Sequence, residues 1–294
     1  MSSVDPNLNA HIGMTRAQTP WSLHALSCTS EDAVLGQIGS LQVRLARSEA
    51  EVAAAQALRF QVFVREMGAR ASPSARAKEL DSDEFDPICD HLLVFDTAVQ
   101  GGAADRIVGT YRLLPQERAA DGFYSDSEFE LQELVARHPS RRFLELGRSC
   151  VLPAYRSKRT IELLWQGIWA YCRRTEIDVM VGCASFGGSD PSAHAQALSF
   201  LAHNFPASGD WHVRARADRY TAMDLVPRET IDPKLALSGT PPLIKGYLRL
   251  GARFGEGCVI DHEFHTTDVL VVLPVENIPS RYLAYYGADE GMGA

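Results

Sequence analysis

The 294-residue chain lacks the patterns that mark several large protein classes. Its six cysteines (Cys28, Cys89, Cys150, Cys172, Cys183, Cys258) contain no CxxC pair and no tight spacing. That argues against a disulfide framework or a zinc ribbon, and cysteines inside apolar segments usually act as small hydrophobes. The N-terminus has no basic-then-apolar signal, so a reduced, cytoplasmic chain is expected. No stretch approaches the roughly 20 apolar residues that span a bilayer, which leaves only peripheral membrane contact. Positive charge is in deficit: 29 Lys and Arg stand against 37 Asp and Glu, a net charge of −8. A general nucleic-acid binder is thereby disfavoured. There is no internal repeat.

Familiar catalytic signatures are also incomplete. His91 and Asp96 have an HxxxxD spacing, but on a strand residues five apart point to opposite faces. Gly182–Gly187 resembles a nucleophile elbow, yet G-x-S-x-G around Ser185 requires glycine at 183 and finds Cys183. His262 and His265 lack the one-turn separation that puts two histidines on one helix face, so no metal site is expected.

What is present is 46% hydrophobic residues, enough for a substantial core. Residues 1–40, rich in small and polar residues without a period, read as a disordered extension. Residues 41–294 read as a single domain. A strand over 41–46 leads to a helix over 48–67, capped by Ser48. A loop over 68–78 precedes the acidic segment Leu80–Asp90. Strands follow at His91–Phe95 and Ile107–Leu114, then a short helix ending near Arg137. A central strand over 143–151 enters a basic turn and the helix Ile161–Cys172. The apolar strand Asp178–Phe186 has the composition of one covered on both faces. A helix over 193–203, an irregular stretch over 206–240 and a helix over 242–250 come next. Two further strands and a C-terminal helix bearing Tyr282, Tyr285 and Tyr286 end the chain. Helices alternating with strands and hairpins predict an α/β fold of three layers, a mixed central sheet flanked by helices.

Charge is segregated along the chain. Glu79–Asp90 holds six acids and no base, whereas Arg141–Arg159 holds six bases and one acid. Such segregation suits a site that handles a cationic and an anionic group together; two solvated faces of opposite sign are the plainer alternative. Glu145 and Arg148 are charges in an otherwise apolar strand, so each needs a partner or a task. The basic turn Arg156–Thr160 leads into a helix N-terminus, whose free backbone N–H groups attract anions. No nucleophile is evident. Direct attack of an amine on an activated thioester fits, because it needs only positioning, a proton acceptor and oxyanion stabilisation.

Several blocks carry a family resemblance. Leu58-Arg59-Phe60, Asp83-Glu84-Phe85-Asp86, Asp90-His91-Leu92, Thr110–Pro115 and Glu145-Leu146-Gly147-Arg148 resemble the acyl-homoserine-lactone-synthase branch of the Gcn5-related N-acyltransferases. Phe123-Tyr124-Ser125, Leu144–Val151, Leu164–Tyr171, Gly182–Phe186 and Pro241–Gly251 look like the bacterial ornithine Nα-acyltransferases, across roughly residues 41–286. The resemblance implies transfer of a 3-hydroxyacyl chain from acyl carrier protein to the α-amine of ornithine. Lyso-ornithine lipid would be the product, with no permanently bound cofactor and the carrier's 4′-phosphopantetheine as the donor arm. The chain departs from the superfamily's R/Q-x-x-G-x-G/A turn, placing Arg159 and Ile161 where glycines let coenzyme A approach.

Roles follow from that resemblance as expectations. Glu145 and Arg148 are the catalytic pair, with Glu145 either the proton acceptor or a buried partner of Arg148 or Arg112. A regular strand would put Glu145 and Arg148 on opposite faces, and a bulge at Gly147 would realign them. Arg156, Lys158 and Arg159 would dock the carrier, or else form a solvated turn. Cys183 and Ser185 would line the donor tunnel. Asp83, Asp86 and Asp90 would hold ornithine, whereas Arg59 and Arg112 would order that acidic loop. The alternatives are a homoserine-lactone synthase, a glycerolipid O-acyltransferase, or an acyl-carrier-binding module without turnover.

Overall fold

The computed structural model describes residues 34–287. Among them eight strands form one sheet: β1 (Gly36–Ile38), β2 (Leu41–Leu45), β3 (Asp90–Asp96), β4 (Ile107–Pro115), β5 (Phe143–Val151), β6 (Val179–Gly187), β7 (Arg253–Asp261) and β8 (Thr266–Pro274). Their order is β1-β2-β3-β4-β5-β6-β8-β7, with β5 and β6 parallel and the other neighbours antiparallel. With helices on its two faces, this is the three-layer α/β arrangement around a mixed central sheet that the sequence predicts.

Strand alternation sorts the core into layers. In β3, Leu92 and Val94 join one cluster with Leu163, Leu164 and Ile168 of helix α5, while Leu93 and Phe95 join another with Ala55 and Leu58 of helix α1. The helices, in chain order, are α1 (Glu49–Arg59), α2 (Pro73–Lys78), α3 (Ala103–Arg106), α4 (Leu131–Arg137), α5 (Lys158–Arg174), α6 (Ala195–Asn204), α7 (Pro233–Gly239), α8 (Pro242–Arg249) and α9 (Ser280–Gly287). Both α1 and α5 begin at serine caps: Ser48 accepts from the Glu51 N–H, and Ser157 from the Thr160 N–H. The crossover through α5 returns the chain to β6 in parallel, as a parallel pair requires.

Four segments differ from the sequence expectation. Gly36–Ile38 pairs with β2 around Gly39 at φ 63°, within a stretch read as disordered; residues 1–33 lie outside the described ones. Three residues are too few to show a period. The loop over 68–78 contains α2, capped by Ser72 and opened by Pro73, but it buries no side chain and so carries no apolar stripe. The irregular stretch contains α7, capped by Asp232. The helix beginning at Glu49 widens into a π-helix over Phe60–Glu66. Such widening often falls at functional sites, and here it precedes Met67, which lines the central cavity with Phe63.

Candidate active site

The cavity arises because β5 and β6 pair over only three residues. Phe143, Leu144 and Glu145 register with Val179, Met180 and Val181. Beyond that, β5 stays with β4 and β6 stays with β8, so the two strands diverge. Gly182 stands at the parting with φ 151°, where a Cβ would lie 2.2 Å from the Leu146 carbonyl oxygen. Only glycine fits there. On the other side of β5, the step from Thr110 to Arg112 opposes the longer step from Cys150 to Gly147. The extra residue is a bulge, and Arg148 takes φ 50°, a strained value for a side-chain-bearing residue. The realignment expected at Gly147 thus falls one residue later. Glu145 through Ser149 all line a cavity of about 240 Å³, with Cys183 and Ser185 of β6 also on its wall.

Glu145 is buried and makes no ion pair with Arg112 or Arg148 among the described residues. Its carboxylate instead accepts the Tyr124 N–H at 2.7 Å, the Ser125 N–H at 2.8 Å and the Ser125 hydroxyl at 2.5 Å. Burial nonetheless raises its pKa above the ordinary glutamate value. The expectation of a buried arginine partner is corrected: the partners are the turn Tyr124–Ser127. That turn carries the Tyr124 ring, stacked edge-on to Phe85, with its hydroxyl 3.3 Å from Arg148. Burial pushes the Tyr124 phenol up to about 12, so it keeps its proton at neutral pH. Arg148 lies against the Tyr124 and Phe264 rings, at 4.8 and 4.5 Å.

The acidic loop is bound to the chain's own arginines. Arg59, fully buried, donates to Asp81 at 2.7 Å and to Asp86 at 2.7 Å. Arg112 donates to Asp83 at 2.5 Å, and Asp90 accepts from Arg118 and Tyr171. Burial drives the Asp86 carboxyl upward, but Arg59 and Arg112 outweigh it and hold it below the ordinary range. None of Asp83, Asp86 and Asp90 lines the cavity. Assigning them to the acceptor is therefore corrected: their charge is neutralised by internal pairs that anchor the loop. Arg59 and Arg112 make those pairs.

Cys183 is close to Ser125 and to Glu128, at 3.3 and 3.4 Å. Burial, with the Glu128 charge adding to it, pushes its thiol well above its ordinary pKa. A neutral thiol is a poor nucleophile. Arg156, Lys158 and Arg159 sit outside the cavity, at the start of α5. Arg156 forms a two-pronged pair with Glu66, while Lys158 and Arg159 face solvent.

A second carboxylate group escaped the sequence reading. Glu128, Asp261 and Asp268 bring ligand atoms within 4.8 Å of one another. Asp261 and Asp268 lie on the cavity wall. Burial pushes Glu128 up to about 7, with Asp268 repelling it further. Burial likewise raises Asp268 to about 6, and Asp261 adds to the push. The signal was available: Asp268 is the one charge in the otherwise uncharged strand β8, as Glu145 interrupts an apolar run in β5.

Comparison with known proteins now bears on these features. The chain is 59% identical over 268 residues to the L-ornithine N(alpha)-acyltransferase of Brucella abortus (strain 2308), covering 90% of this chain and 95% of that relative. It is 55% identical over 282 residues to the L-ornithine N(alpha)-acyltransferase of Rhizobium meliloti (strain 1021), covering 95% of each. The chain belongs to the L-ornithine Nα-acyltransferase family. The family model for the acetyltransferase (GNAT) domain matches residues 58–166, from the end of α1 into α5. Among solved structures the chain is similar to FeeM, an N-acyl amino acid synthase from uncultured soil microbes. That match has a TM-score of 0.46 at 14% identity and covers 80% of this chain and 91% of that one. In this ornithine acyltransferase family member, then, the parted strands open a cavity lined by Glu145, Tyr124 and Arg148, with Asp261 and Asp268 also on its wall.

Proposed function

We propose that this acyltransferase moves a 3-hydroxyacyl chain from the 4′-phosphopantetheine arm of an acyl carrier protein to the α-amine of L-ornithine, yielding lyso-ornithine lipid. The observation that carries the reading is a cavity with proton-handling groups and an arginine but no activated nucleophile, in a member of this family. In the proposed step the amine nitrogen attacks the thioester carbonyl carbon directly. A C–N bond forms, and the carbonyl oxygen becomes an oxyanion facing the edge of β5 beyond Glu145, which has no β6 partner. Glu145, directly or through water, takes the proton lost by the amine. The C–S bond then breaks, and the proton held by Glu145 passes to the departing thiolate, through water or relayed by the Tyr124 hydroxyl, so that both side chains end in the state in which they began. Arg148, paired on one side with Asp81 and Asp83 at 3.5 and 3.4 Å, extends the remainder of its charge to the acceptor's α-carboxylate.

The donor assignment rests on the basic turn. Side chains replace the glycines that admit coenzyme A, and Lys158, Arg159 and the opening N–H groups of α5 offer positive charge to a phosphate on an acidic carrier. No resident cofactor is needed. Because the product is a lipid, the proposal includes work in the cytoplasm with peripheral contact at the cytoplasmic face of the inner membrane. Among the described residues no helix is long and apolar enough to cross a membrane.

The test supplies purified protein with 3-hydroxyacyl carrier protein or the matching coenzyme A ester, and with ornithine or a lysolipid. Nα-acyl ornithine made preferentially from the carrier, with KM for the carrier rising in K158E/R159E, is the expected result. Acylation of the lysolipid hydroxyl with ornithine inert would overturn it.

A further inference from the structure

We propose that Glu128, Asp261 and Asp268 form the subsite that seats the terminal ammonium of the acceptor amino acid. The inference rests on the acceptor reading above and adds where its side chain goes. Two observations beyond the carboxylates themselves point to a ligand. Asp268 is 6% exposed, and its Oδ1 has no partner within hydrogen-bond geometry, although the Ser185 and Thr266 hydroxyls lie close enough to offset part of the effect of its burial. Beside it on β8, Thr266 is 4% exposed, and its hydroxyl reaches toward the Asp268 carboxylate only outside hydrogen-bond geometry. Both residues line the cavity that reaches Glu145. Buried polar atoms without partners are costly, and a donor arriving from the cavity would satisfy them.

The chemistry favours an ammonium over a metal ion. A primary ammonium brings three N–H donors, which suits one oxygen from each carboxylate. A calcium or magnesium ion wants six or more oxygens. Here lone pairs are already committed: Asp261 Oδ1 accepts the N–H groups of Glu263 and Phe264, and Glu128 accepts from Arg219 and Cys183. The Arg219 cation beside Glu128 repels any second cation, a divalent ion about twice as strongly as a monovalent ammonium. The position fits an amino acid reaching from the reaction centre. Cys183 touches Glu128 on one side and Ser125 on the other, and Ser125 donates to Glu145. Two side chains thus span the gap between the carboxylate at the amine and the group at the far end.

Steady-state acylation of L-ornithine and of L-norvaline, which has the same chain length without the ammonium, tests this in wild type, D268N and E128Q. Losing one buried charged partner should raise KM for ornithine by about 30-fold or more, with the loss falling on KM rather than kcat. The ornithine-to-norvaline ratio in kcat/KM should collapse in both variants. An unchanged ratio, or equal losses for the two amino acids, overturns the subsite. So does activity lost on dialysis against EDTA and restored by manganese while the ratio stays as in wild type. If the wild-type enzyme acylates neither amino acid, the acceptor reading fails on its own. Calorimetric titration then still decides the subsite: ornithine binding without norvaline binding, lost in D268N, upholds it, and any other pattern overturns it.

Discussion

At the scale of single residues, Glu145 has two parts: the three donors on its carboxylate fix the turn that presents Tyr124, and in the proposed reaction the same carboxylate takes the amine's proton. E145Q should lower kcat by about 100-fold or more and remove the acidic limb of its pH profile. Y124F, which keeps the ring and its contact with Phe85, should lower kcat by a smaller factor and leave the acidic limb in place. Rapid-quench measurement of N-acyl ornithine across pH 5–9 reads both, and a profile in E145Q shaped like wild type would remove the carboxylate from its role. Arg59 and Asp86 show what sequence could and could not deliver here. An arginine beside a helix's apolar stripe signalled an internal partner. Which of six nearby acids it takes depends on the path of the loop, and no local pattern encodes that.

At the scale of elements, the decisive feature is the parting of β5 and β6. The sequence announced both strands by their apolar runs, and the central one matches at 143–151. It did not announce that they pair for only three residues, because register between parallel strands depends on the crossover and on neighbours. Gly182 was the one local sign. G182A would force a Cβ to 2.2 Å from the Leu146 oxygen in a backbone conformation that L-residues avoid. That substitution should cost about 2–4 kcal/mol of stability by chemical denaturation, or else close the cavity and abolish turnover. An alanine variant with wild-type stability and activity would mean the strands do not part there. The short α2 and α7 were missed for a common reason: α2 buries no side chain and α7 buries only Ala236, so neither shows the stripe by which helices are read.

At the scale of the whole molecule, the carboxylate cluster links function to pH-dependent stability. Glu128 and Asp268 have folded-state pKa values of about 7 and 6, above their ordinary ones. The folded chain therefore holds protons that the unfolded chain has released. The stability they confer is present near pH 4 and is lost as pH rises towards 7. Asp261, Arg219 and Arg148 are the other charges facing the group. D268N should match wild type in thermal melts near pH 4 and exceed it at pH 8, by on the order of 2 kcal/mol. Equal melting at both pH values would show that the cluster carries no such repulsion. Ornithine should narrow the gap at pH 8 by stabilising wild type alone.

The brief pairing of β5 with β6 also bears on how the chain reaches this shape. The strands from β1 to β5 each lie beside the next in sequence, whereas the remaining three join them only through the parallel contact at 143–145 and 179–181. Nearby pairings form before distant ones, so the amino-terminal half should assemble first and the seam should zip last. Pulse-labelled hydrogen exchange during refolding should find amides of β3 and β4 protected ahead of those at 179–181, and simultaneous protection would refute that sequence. The last contact made would then be the one beside which the two strands part.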